Sequence, residues 1–162
     1  MVIIIYGVSA VGKTTVGERL AADLSWKFYD ADDFHSAANK AKMASGTPLT
    51  DDDREGWLET LRQLIAATLD DGQNAVLACS ALKQKYRDLL RVNDAVKFVL
   101  LYADYDTIEK RIVERKHHFM NPDLLKSQFD TLEMPHGEDT VLDATEPAGS
   151  LAEQIISDLL KR

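Results

Sequence analysis

The sequence predicts an α/β protein with three layers, a five-stranded parallel sheet covered by helices on both faces. Three observations predict it. Short apolar runs of strand length recur five times, and helical patterns separate them. The first strand runs into a helix through a glycine-rich turn, G-V-S-A-V-G-K-T at residues 7–14. The chain's 162 residues, 45% apolar and 28% charged, suit one domain with a real core, and no repeat or low-complexity stretch interrupts residues 1–162.

The opening run Val2-Ile3-Ile4-Ile5-Tyr6 is a short buried strand, and residues 15–24 follow as an amphipathic helix. Strand, glycine-rich turn and helix is the context that a phosphate-binding loop requires. Gly7 and Gly12 let the backbone bend and approach a ligand closely. The loop amides can then form a nest for phosphate oxygens at a helix N-terminus. The candidate nucleotide cradle is therefore Gly7, Val8, Ser9, Ala10, Val11, Gly12, Lys13, Thr14 and Thr15. Lys13 would reach the β- and γ-phosphates, and the Thr14 hydroxyl would ligate Mg²⁺. The remaining question is what the nucleotide is used for.

The second strand, residues 26–30, ends in Asp30-Ala31-Asp32-Asp33-Phe34-His35. Asp30 and Asp32 alternate toward one side of the strand's C-terminal end, where ligands of open α/β sheets sit. Asp33 also suits a helix cap. Residues 37–43 are helical in character and 45–48 form a turn. Thr50-Asp51-Asp52-Asp53 caps a long helix that carries Trp57, Leu58, Leu61, Leu64, Ile65 and Leu69 and stops at Asp70-Asp71-Gly72. The aspartates at its head suit capping and solvated surface.

The third strand, 75–80, has no terminal aspartate. Helix 83–91 carries Lys83, Lys85, Arg87 and Arg91; the fourth strand is 96–102. Asp104 and Asp106 start helix 105–116, where Arg111 and Arg115 share a face. Residues 116–122 are its exit and a loop, 123–132 resume a helix, and 134–137 turn. Residues 140–144 form the fifth strand, and the closing helix, 150–160, presents Leu151, Ile155, Ile156, Leu159 and Leu160.

A net charge of −8 disfavours a nucleic-acid polymer as partner. One cysteine, Cys79, makes no disulfide framework. No apolar stretch is long enough to span a membrane, and no basic region precedes the N-terminal apolar run as in a signal peptide, so a cytoplasmic location is expected.

Phosphoryl transfer to an alcohol needs a cradle, Mg²⁺, a base at the acceptor hydroxyl and cations over the migrating group. Thr14 is the candidate direct Mg²⁺ ligand, with Asp30 acting through water, and Asp32 is the candidate base. Arg111 and Arg115, with Lys116, are candidate cations of a lid over about 115–132 that excludes water from bound ATP. Surface pairing of the arginines with Glu109 or Glu114 is the alternative. His117 and His118, adjacent on a loop, are a weak metal signal. His35 suits a substrate-hydroxyl contact.

From Asp30-Ala31-Asp32-Asp33-Phe34-His35 onward the chain resembles the gluconokinases. The resemblance runs through Asn39, Lys42-Met43, Gly46, Pro48-Leu49, Asp51-Asp52-Asp53-Arg54 and Trp57-Leu58. It continues at Cys79-Ser80-Ala81-Leu82-Lys83, Tyr86-Arg87-Asp88-Leu89-Leu90, Arg115-Lys116, His118-Phe119, Gln128-Phe129, Leu132-Glu133 and Pro135. It implies ATP- and Mg²⁺-dependent phosphorylation of D-gluconate at the 6-hydroxyl. It also implies a P-loop kinase fold similar to shikimate and nucleoside-monophosphate kinases, with strand order 2-3-1-4-5, and a homodimer. The chain departs from the family's usual pattern at Ser36, where proline often follows the histidine, and at Val11, where a small residue is common.

Gluconate is a carboxylate, and an acidic protein must gather cations to hold it. Candidates are Lys42, Arg54, Lys83 and Arg87, with a substrate-binding helical segment at about 33–58. Arg54 lies in the first turns of a helix headed by three aspartates, where a cation opposes the helix dipole. Pairing with Asp51 or Asp53 is the alternative. Shikimate kinase and nucleoside-monophosphate kinase are the rival enzymes. A GTPase-like switch is disfavoured, because Asn39-Lys40-Ala41-Lys42 lacks the aspartate that reads guanine.

Overall fold

Five strands pair in parallel in the order 2-3-1-4-5: β1 (Val2–Tyr6), β2 (Lys27–Asp30), β3 (Ala75–Ala78), β4 (Val96–Tyr102) and β5 (Thr140–Asp143). The computed structural model describes residues 1–114 and 122–160. All five residues of β1 are buried, as a central strand covered on both faces must be.

Alternation along the strands divides the core. Ile3, Ile5, Val76, Val99 and Leu101 face α1 (Lys13–Leu24) and α7 (Ala148–Leu159), meeting Leu20, Leu151 and Ile155. Ile4, Tyr6, Leu77 and Leu100 face the other way, against Trp57 and Leu61 of α3 (Asp51–Asp70) and Tyr86 and Leu90 of α4 (Gln84–Leu90). Each such apolar side chain contributes about 1.5–3 kcal/mol by leaving water. Helix, sheet and helix are thus the three layers.

Side-chain caps start several of the helices. Thr50 and Asp53 form a capping box on α3: each side chain accepts from the other's backbone amide. Ser36 caps α2 (Ala37–Ala44) by accepting from Asn39 N at 3.1 Å. This gives the departure from proline a role, because a proline cannot supply that side-chain acceptor. Asp104 accepts from Thr107 N at 2.9 Å and starts α5 (Tyr105–Glu114), and α6 spans Pro122–Thr131. Sequence periodicity did not reveal the tight 3-10 turn at Ala31–Phe34, which Asp30 caps by accepting from Asp32 N at 3.0 Å.

Register positions the site. Ile5, Ala78 and Asp30 lie level across three neighbouring strands. The turn after β1 and the acidic turn after β2 therefore open at the same C-terminal rim of the sheet.

Candidate active site

The turn after β1 needs its glycines. Gly7 has φ 147°, and a Cβ there would stand 2.6 Å from the Leu101 carbonyl oxygen; Gly12 has φ 104°. Ala10 holds φ 63° between them, a left-handed position for a residue with a side chain. Val8 and Val11 point into the core, 2% and 1% exposed. Val11 therefore leaves the mouth of the loop open despite its bulk. Gly12 starts α1 without a side-chain cap, so the first-turn amides of the helix face the loop without that competitor.

Lys13 folds back over the loop. Its ammonium donates to the carbonyls of Gly7 at 2.9 Å and Val8 at 2.8 Å. Burial lowers its pKa, and Asp32 and Asp30 oppose that shift. Beside it, the Thr14 hydroxyl points at Asp30 Oδ2, 3.5 Å away.

Asp32 stands next to Asp30 with its side chain 70% exposed. Its pKa is raised by partial desolvation and then by the Asp30 carboxylate, while Lys13 pulls the other way. His35 is 8% exposed and stacks on Trp57, with ring centroids 4.1 Å apart and planes 14° from parallel. Desolvation first, then Arg54 and Lys40, lower its pKa to about 4, so the ring is neutral at pH 7. The Asn39 amide nitrogen donates to Asp53 O at 2.7 Å and lies 3.3 Å from His35 Nδ1. Nδ1 is thereby the acceptor, and the proton is on Nε2, which lies 3.9 Å from Asp32 Oδ1.

These groups line one cavity of about 690 Å³ that joins Lys13 and Thr14 to Asp30, Asp32, His35 and Arg54. Ser127 and Gln128 of α6 also line it. The size and mixed polarity suit a small-molecule site.

The four candidate cations separate. Arg54 lines the cavity and makes no ion pair among the described residues. Its Nη1 donates to the Tyr86 hydroxyl at 3.1 Å instead of pairing with Asp51 or Asp53. Lys42 is tied to Asp53 at 2.8 Å and Lys83 to Asp51 at 3.0 Å, and neither is part of the cavity wall. Arg87 requires a correction. It is fully buried, donates to the carbonyls of Ala81, Leu82 and Glu133 and to Gln84, and lies over the Tyr6 ring at 4.7 Å. Four-residue spacing could not show that Lys83 and Arg87 face different surroundings. Arg87 fastens the loop after β3 and has no access to a ligand.

Arg111 braces the cradle from outside, donating to Val11 O at 3.3 Å and Ala144 O at 2.6 Å. Arg115, Lys116, His117 and His118 lie outside the described residues. Several participants were not legible beforehand. Tyr86 and Asp51 form the support under Arg54, Trp57 is the platform for His35, and Gln128 meets the cradle at Ser9. Tyr86 and Gln128 sit within the blocks that carry the resemblance, but spacing alone assigned them no partner.

The shikimate kinase family model matches residues 9–159. A probable gluconokinase of Mus musculus is 47% identical, over 83% of this chain and 83% of its own length. The thermoresistant gluconokinase of Escherichia coli K12 is 39% identical, over 98% of this chain and 93% of its own. The chain belongs to the gluconokinase family. A solved gluconokinase from Sinorhizobium meliloti 1021 superposes with TM-score 0.89 at 36% identity, covering 98% of this chain and 91% of that one. The P-loop kinase fold and the 2-3-1-4-5 sheet follow together. In gluconokinase terms, the acidic turn and residues Met43, Pro48, Leu49, Arg54, Leu82 and Gln128, all within the resembling blocks, converge on the cavity wall.

Proposed function

We propose that this protein transfers the terminal phosphoryl group of ATP to the 6-hydroxyl of D-gluconate, giving 6-phospho-D-gluconate and ADP. The observation that carries this reading is the single cavity shared by Lys13, Asp32 and Arg54. A phosphate-binding lysine, a carboxylate base and a cation for a second anion meet there.

ATP would lie in the cradle of residues 7–15. Lys13 exchanges its two carbonyl partners for phosphate oxygens, which a charge-assisted contact favours. Thr14 and Asp30 would hold Mg²⁺, Asp30 through water, and the ion when bound neutralises charge on the β- and γ-oxygens. A hydroxyl beside a carboxylate is the hard-oxygen donor set this ion takes. Asp32 accepts the proton of the 6-hydroxyl as that oxygen bonds to the γ-phosphorus and the bond to the β,γ-bridging oxygen breaks. His35 Nε2–H orients Asp32 or a sugar hydroxyl. Arg54 grips the gluconate carboxylate with its forked donors.

The roles given to Arg111 and Arg115 in nucleotide binding, the substrate segment at about 33–58 and the lid at about 115–132 belong to this reading, as does a single domain over 1–162. A cytoplasmic, homodimeric enzyme is part of it too. No helix among the described residues is long and apolar enough to cross a membrane. Tyr102 and Val141, 38% and 47% exposed, lie on one face near the β5 edge and would suit a second copy. Shikimate kinase is the competing reading, from the family model. ADP release measured across gluconate, shikimate and AMP tests it. Gluconate is expected to be the productive acceptor, and turnover of shikimate or AMP without gluconate turnover would refute the proposal.

A further inference from the structure

A side chain of the protein itself engages the cradle at Ser9. Gln128, from the middle of α6, accepts from the Ser9 backbone amide at 2.6 Å and donates back to the Ser9 hydroxyl at 2.9 Å. We propose that Gln128 is a positioning residue that stands in for a phosphate oxygen in the nucleotide-free protein and is displaced when ATP binds. The proposal rests on nucleotide binding by residues 7–14 and is independent of the acceptor's identity.

Two features support a stand-in over an ordinary structural contact. The Ser9 amide belongs to the loop whose donors a triphosphate needs, and an amide satisfied by Gln128 cannot simultaneously serve a phosphate at full strength. Lys13 makes a parallel contact on the Gly7 and Val8 carbonyls, so the Ser9 amide and two loop carbonyls are held by the protein's own side chains. A carboxamide suits this task because it offers an acceptor oxygen without a negative charge that would repel the incoming phosphates.

The contact also links the two halves of the cavity. Just beyond α6, Glu133 is fastened to the loop after β3: its amide donates to Leu82 O at 2.8 Å, and its carboxylate accepts from Gln84 N at 2.8 Å. Arg87 donates to the Glu133 carbonyl at 2.7 Å. The helix is thus pinned at its C-terminal side and rests on the phosphate loop through Gln128. Leu124, Ser127 and Thr131 of the same helix line the cavity. Displacing Gln128 therefore re-sets the wall that an acceptor meets, so nucleotide occupancy is communicated to the second site.

The test is calorimetric titration of MgATP into wild type, Gln128→Met and Gln128→Glu, with hydrogen exchange of residues 124–131. Gln128→Met keeps the length and loses both bonds. It is expected to bind MgATP about 5–10-fold tighter, the size of a lost internal competitor. Its α6 should exchange faster than wild type without nucleotide and respond little to MgATP. Gln128→Glu keeps the acceptor and adds repulsion, so its affinity should fall. Unchanged or weaker binding by Gln128→Met overturns the proposal. If that variant does not fold, unchanged or tighter binding by Gln128→Glu overturns it. Absence of MgATP binding by wild type would overturn both this proposal and the nucleotide reading.

Discussion

Arg54 Nη1 donates a hydrogen bond to the Tyr86 hydroxyl at 3.1 Å, with its guanidinium carbon 5.5 Å from the centre of the Tyr86 ring. The hydroxyl donates in turn to Asp51, whose carboxylate also accepts from Lys83 at 3.0 Å and Lys85 at 2.6 Å. Those donors hold the Asp51 carboxyl well below the usual range, the Lys85 bond contributing most. Asp51 thereby occupies two lysines and, through Tyr86, orients the arginine that reaches the cavity.

Removing that arginine should affect one substrate selectively. Arg54→Ala is expected to raise KM for gluconate about 10–100-fold, the range of a charge-assisted contact, with KM for ATP little changed. Arg54→Lys should recover only part, since an ammonium lacks the fork. Tyr86→Phe should raise KM for gluconate about 2–10-fold by loosening Arg54. Steady-state kinetics with each substrate varied in turn checks all three.

Asp32→Asn should lower kcat about 10²–10⁴-fold while MgATP binding, followed by titration, is retained. Because desolvation and then Asp30 raise the Asp32 pKa, the acid limb of kcat/KM for gluconate should lie above the ordinary aspartate value of 3.8. An Asp32→Asn enzyme with full turnover would remove this residue as the base.

His35 predicts a stability change in a defined pH window. Its pKa is about 4 in the folded protein and 6.5 unfolded, so the unfolded chain binds more protons between those values. Its stabilising effect is complete above pH 6.5 and is lost as pH falls toward 4, a change on the order of 2–3 kcal/mol. His35→Phe keeps a ring on Trp57 and should flatten denaturant-derived stability across that window. Asp53 is held down to about 2, chiefly by its bond with Lys42. Its contribution is present above pH 3.8 and is lost below it, as a separate acid limb.

Arg87→Met should act on stability and spare substrate selectivity. It strips donors from three carbonyls and the Gln84 side chain in a fully buried position. The expected loss is about 2–4 kcal/mol, or roughly 5–15 °C in Tm. At a temperature where the variant is folded, KM for gluconate should match wild type. A gluconate-specific KM increase would return Arg87 to the pocket.

The layers were readable because burial on both faces leaves uninterrupted apolar runs such as Val2–Tyr6, and amphipathic helices repeat their apolar positions. The cradle was readable because its conformation restricts residue choice at Gly7 and Gly12. Cation roles were less so. Lys42, Lys83 and Arg87 share the charge of Arg54, and only packing decides which of them finds a carboxylate, a set of carbonyls or open space. Asp51 looked like solvated surface because its partners lie 32 to 35 residues away in sequence. Gln128 meets Ser9 across 119 residues, a contact no local pattern encodes.

Transfer to gluconate is decided by where the γ-phosphate ends up. Phosphorus and carbon NMR of gluconate incubated with MgATP and the protein follow that directly. The γ-phosphate resonance should disappear, matched by a new phosphomonoester coupled to the C6 methylene. Unchanged ATP, or inorganic phosphate as the sole new phosphorus product beside ADP, would contradict it.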